Sequence, residues 1–157
     1  MSPAALPGPV RAVTGAVLAA AHAVRAEDAP ALDAASTQLA ACEPEVLRLL
    51  LGGAVRTALE RTHAQGIDGD DARDLLERCV RSALTWLPDV DVTALLLVLT
   101  GALDMQDPDE EEVVALPVIA VHAVLLLAAL GAGPAQVRHE LDLAIAEMTR
   151  HQTVEMP

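Results

Sequence analysis

An uncharged stretch from Val113 to Gly133, VVALPVIAVHAVLLLAALGAG, constrains this chain more than any other feature. His122 is its one side chain that can form hydrogen bonds. A helix that is apolar all round must be covered on every side, either by other helices or by lipid. A run of about 20 residues is long enough to span a bilayer. We nevertheless expect protein to cover it, because Pro117 interrupts the run and no Trp, Tyr, Lys or Arg flanks it closely.

The remaining segments have the pattern of short amphipathic helices with one apolar stripe each. The 157 residues suit one domain, and the chain contains one Trp and no Phe or Tyr. A core of Ala, Leu and Val favours closely packed helices over a β-sandwich. The sequence therefore predicts an all-α, single-domain bundle of six or seven helices around a central hydrophobic helix at about 113–131. We expect residues 1–9 to form a flexible arm, 10–150 the domain and 151–157 a frayed tail.

Aspartates placed before apolar runs mark the predicted helix starts. Asp28 is the expected cap of the second helix, and either Asp68 or Asp70 that of the fourth. Either Asp89 or Asp91 should cap the fifth helix. Asp107 and Pro108 have the N-cap and N1 pattern of the sixth helix.

Two interruptions leave alternatives open. The central helix either kinks at Pro117 or restarts with this proline near its first turn. Gly52 and Gly53 lie inside the third helix, where two glycines cost about 2 kcal/mol relative to alanine. A close helix crossing or a kink would account for them.

The net charge is −13, and the ten basic residues are all arginine. Such a chain has no basic stripe for nucleic acid and is repelled by anionic membrane surfaces, so we expect neither partner. The Ala21-His22-Ala23 sequence has the form of a signal cleavage site, but three prolines precede it and a helix is favoured. We expect a cytoplasmic protein whose Cys42 and Cys79 are buried thiols.

No catalytic, metal-binding or cofactor constellation is complete. Glu60 and His63 share a helical face, but a di-iron site needs a second such pair, so a solvated face is favoured. The acids at 68–71 and 107–112 lack the glycine that an EF-hand loop requires, and helix capping explains them. We predict no catalytic residue, no metal and no cofactor, and the balance is against an enzyme.

His122 and Trp86 are the candidate ligand-binding residues. His122 could line an apolar pocket between helices, with Trp86 beside it. The favoured alternative is a neutral core histidine bonded to a carbonyl or to water.

Three functional hypotheses remain. The first is a non-catalytic acidic interaction module, a homodimer or the binder of another protein. The second is a small-molecule binder or enzyme with a pocket near His122. The third is an acidic inhibitor that masks a basic partner.

Overall fold

Seven α-helices build the chain in the computed structural model, which describes residues 7–102 and 114–155. No strand occurs within these ranges, so the predicted all-α bundle is confirmed. The helices are α1 Gly8–Arg25, α2 Ala29–Ala40, α3 Pro44–Thr62, α4 Gly69–Leu84, α5 Val92–Ala102, α6 Leu116–Ala129 and α7 Pro134–Glu155. The last helix continues beyond the end predicted near Arg150.

Helix α6 is the centre of the bundle and packs against all of α1 to α5. Ala120 is buried, and so is every residue from His122 to Leu127. The helix begins at Leu116, so Pro117 lies in its first turn, where the missing N–H costs no hydrogen bond. The restart is therefore confirmed and the kink is wrong. The start predicted at Asp107 and Pro108 lies outside the described residues.

No single helix in the described part of the chain is both long enough and apolar enough to cross a membrane. Helices α6 and α7 together have the length and composition of a span, with residues Leu116–Ala129 and Pro134–Gln152, but they are bent by 117° at the break between them.

Aspartate side chains start three helices as the sequence predicts. Asp28 accepts from the Ala31 N–H at the start of α2. Asp68, not Asp70, caps α4 and forms a reciprocal capping box with Asp71. Asp91, not Asp89, accepts from the amide of the third residue of α5 at 3.1 Å. Of the acids considered for calcium, Asp68 and Asp71 therefore have the alternative role of helix capping.

Helices α1 and α6 end in the same kind of turn. After α1, the N–H groups of Glu27 and Asp28 bond the carbonyls of Val24 and Ala23, which is a Schellman motif. The motif after α6 has Gly131 in the left-handed position, with φ 85°. In α1 that position is held by Glu27, with φ 52°, although a side chain there is strained.

Gly53 lies where α3 crosses α7. A Cβ atom on Gly53 would approach the Ala144 Cβ to 3.0 Å, whereas one on Gly52 would meet nothing within 4 Å. The close-crossing explanation is therefore confirmed for Gly53 and does not extend to Gly52.

The two glycines give a matched pair of substitutions. Gly52→Ala should raise the free energy of unfolding by about 1 kcal/mol, because alanine is the better helix former. Gly53→Ala should lower it by about 1 kcal/mol, since overpacking of α3 against α7 exceeds that gain. Urea unfolding of both variants at one protein concentration, low enough that the chain is a monomer, measures these changes. Equal stabilisation by the two changes would contradict the close contact.

Candidate functional site

A cavity of about 290 Å³ lies where the C-terminal ends of α1, α4 and α6 meet. Small side chains and glycines from α1, α4, α6 and the turn before α7 leave the space open. Trp86, which follows α4, is half-buried and is the largest side chain of its wall. Arg25, Glu27, Cys79 and Gly133 also line the cavity.

Arg25 supplies the positive charge of this cavity. Its Nη1 atom packs so closely on Gly133 that a Cβ there would lie 2.7 Å from it. Arg25 is exposed, and within residues 7–102 and 114–155 its guanidinium has no hydrogen-bond or ion-pair partner. Glu27, also exposed, brings a carboxylate to the same cavity.

Cys79 forms a buried part of the cavity wall. Burial raises the pKa of its thiol from 9.0 to about 11, and the positive charge of Arg78 partly offsets that rise. Burial also raises the pKa of Cys42, and both cysteines are free and buried as predicted. The Cys79 thiol is therefore protonated and unreactive at neutral pH.

The Cys79 thiol should make the free energy of unfolding decrease at alkaline pH. Its folded pKa is above its unfolded pKa, so the unfolded state releases its proton first as the pH rises past 9. We expect the free energy of unfolding to drop by about 2–3 kcal/mol between pH 9 and 11. Cys79→Ala should remove most of that drop. If the free energy of unfolding falls with pH as steeply in Cys79→Ala as in the wild type, the drop does not come from the Cys79 thiol. Denaturant unfolding under reducing conditions measures the free energy of unfolding at each pH. The chain has no Lys or Tyr, whose side chains would also titrate between pH 9 and 11.

His122 joins α6 to the start of α5. Its Nδ1–H donates to the Val118 carbonyl at 2.7 Å, and its Nε2 accepts from the Asp91 N–H at 2.9 Å. The side chain is buried, and these two bonds define a neutral ring with the proton on Nδ1. The arrangement is that of a core histidine bonded to backbone.

The two predicted ligand residues are not brought into one site. Trp86 lines the cavity at the helix ends, and His122 is not part of its lining. The ligand-binding role of each stays a prediction. Glu60 is exposed on the surface of α3.

A buried carboxylate on α7, Glu140, was not predicted from the sequence. It is fully buried, and its Oε1 accepts from Arg61 Nε at 3.0 Å and from Gln136 Nε2 at 3.2 Å. Its Oε2 is also buried and has no hydrogen-bond partner in the described part of the chain. One signal could have found it, because Glu140 lies one helical turn after Val137 and one turn before Ala144, within the apolar stripe of the helix.

Breaking the Arg61–Glu140 pair should cost stability. Arg61→Met leaves a buried carboxylate without its cation, and we expect a loss of about 2–3 kcal/mol, moderated by the 37% exposure of the arginine side chain. The double variant Arg61→Met/Glu140→Leu should recover most of the loss, because no buried charge remains. Chemical denaturation of both variants measures this. A double variant no more stable than Arg61→Met would contradict the explanation.

A second concave surface, of about 220 Å³, lies between α3, α5 and α6, and we call it the α5 groove. It is mostly apolar, with Arg48 and Arg56 of α3 as its charged residues. It is lined by Leu47, Arg48, Leu51, Gly52, Val55, Arg56, Leu97, Val98, Gly101, Ala102, Leu116, Ile119, Ala120 and Ala123.

Helix α5 itself is apolar on both sides. It contains no charged residue, and its inner face, with Leu95 and Leu99, is buried. Its outer face is open, with Val92 48% and Leu96 44% exposed. Val92 and Leu96 therefore leave apolar surface in water on a helix that has no charged residue.

Metal-ligating side chains do not gather in groups of three or more in the ranges that the structure describes. The acidic residues 107–112 lie outside those ranges. No family model, no curated protein and no solved structure matches this chain. Its function therefore has to be inferred from the surfaces and cavities of the fold itself.

Proposed function

We propose that this protein is a helical interaction module that associates with a second copy of itself through α5 and the α5 groove. The observation that carries the proposal is the exposed outer face of α5. Fully burying a leucine side chain contributes about 1.5–3 kcal/mol, and Leu96, which is 44% exposed, can still gain a part of that energy. An uncharged helix face that stays exposed in one chain gains that energy only when another surface covers it.

The groove beside α5 has space for an incoming helix. Gly52 lies in its wall, and a Cβ added there would meet nothing within 4 Å. Gly101 of α5 lies in the same wall and is half-buried. Small residues at these points let another backbone approach closely, which suits the packing of a helix against the groove.

A second copy is the occupant that the surface itself favours. The exposed face of α5 and the groove are adjacent, so a two-fold axis close to α5 brings each α5 onto the groove of the partner. Each copy carries a net charge of −13, and the two therefore repel one another. Within residues 7–102 and 114–155, the lining of the groove contains arginines and no acid, so the described part of the contact adds no acidic repulsion of its own.

The decisive experiment compares two leucines of equal exposure. Leu96 on α5 and Leu143 on α7 are both 44% exposed, but only Leu96 belongs to the proposed interface. Leu96→Glu should convert the dimer to a monomer, whereas Leu143→Glu should leave it a dimer. Light scattering coupled to size exclusion measures the mass, and circular dichroism checks that both variants are folded.

The salt dependence provides an independent readout. Because like net charges are screened by salt, dimer affinity should rise between low ionic strength and about 0.5 M salt. A wild-type chain that stays monomeric at high concentration in high salt would refute self-association. A Leu96→Glu variant that remains a dimer would place the interface away from α5.

A further inference from the structure

We propose that the cavity beside Trp86 binds a small monocarboxylate with an apolar body. This site is distinct from the α5 groove, and the inference does not depend on self-association. Its volume of about 290 Å³ is just below the range of small-molecule sites, roughly 300 to 1,000 Å³, so the ligand must be small. The apolar body would pack on Trp86 and the alanine side chains of α1, α4 and α6.

The choice of a carboxylate rests on Arg25. Its guanidinium packs on Gly133 in the cavity wall and has no ion-pair partner within residues 7–102 and 114–155. A guanidinium has five N–H donors in a planar arrangement that matches a carboxylate.

The helix ends around the cavity do not reverse this preference. Three helices point their C-terminal, negative ends at it, which by itself favours a cation. However, backbone N–H groups already bond the last carbonyls: Glu27 and Asp28 bond those of α1, and Gly131 and Ala132 those of α6. After α4, Trp86 and Leu87 both bond the Ala83 carbonyl. The full charge of Arg25 therefore outweighs the partial charges of the capped ends.

Glu27 opposes the ligand and so supplies a test of opposite sign. Its carboxylate belongs to the same cavity, and it repels an anion there. Removing the Arg25 charge should weaken the binding of a carboxylate, and removing the Glu27 charge should strengthen it. A cationic ligand would show both effects reversed.

Trp86 makes the binding directly observable. It is the one Trp in a chain without Tyr, so the intrinsic fluorescence of the full-length protein reports this cavity alone. Benzoate and hexanoate serve as carboxylate probes of different shape, and benzylamine as the cationic counterpart. We expect at least one carboxylate to change the fluorescence saturably, with tighter binding than benzylamine.

The variants are Arg25→Gln, Glu27→Gln and, as the control, Arg11→Gln on the same helix but outside the cavity. Arg25→Gln should weaken binding of the carboxylate probe about tenfold, since hydrogen bonds to charged groups are the strong ones. Glu27→Gln should tighten binding by about twofold to fivefold, because an exposed charge has a small effect. Arg11→Gln should leave affinity unchanged, and thermal unfolding checks that all three variants are folded.

Three results would overturn the proposal. If neither benzoate nor hexanoate gives a saturable fluorescence change, monocarboxylates are excluded as the ligand class. Tighter binding of benzylamine, with the variant effects reversed, would assign the cavity to cations. Equal carboxylate affinity of Arg25→Gln and Arg11→Gln would show that Arg25 does not bind the carboxylate.

Discussion

The fold depends on the need to cover α6 on all sides. A helix without a charged residue has no face that water stabilises, so neighbours must surround it. Helices α1 to α5 do so, and each contributes an apolar stripe to that contact. Helix α7 packs instead on α1 and α3, where its buried Glu140 is held by Arg61. The bundle is therefore a central helix with five neighbours and one helix docked outside them.

Much of this arrangement could be predicted from the sequence because it depends on local chemistry. The absence of charge around α6 dictates burial. Asp28 indicated where α2 begins, and the pairs Asp68 or Asp70 and Asp89 or Asp91 indicated the starts of α4 and α5 to within two residues. The pair Gly52 and Gly53 indicated a close crossing or a kink, because glycine in a helix needs compensation, and the crossing is present at Gly53 alone. Each of these signals is complete within a few neighbouring residues.

The candidate site could not be predicted in the same way. A periodic pattern tells which face of a helix is buried, but not which face of another helix it meets. The grouping of Arg25 with Trp86 joins α1 to α4, and nothing near either residue signals it. The role of Glu140 escaped prediction because its partner lies 79 positions away in the chain. His122 was noticed, yet its backbone partner at Asp91 follows only from how α5 meets α6.

That separation of 79 positions also bears on the order of folding. Helices α1 and α2 are joined by three residues, so their contact closes almost no loop. The contact between Arg61 and Glu140 closes a loop that contains all of α4, α5 and α6, with an entropic cost of about 4 kcal/mol. We therefore expect the hairpin of α1 and α2 to form early and α7 to dock late, once the intervening helices have shortened that loop. The same topology makes α7 the helix whose local opening disturbs the centre of the bundle least.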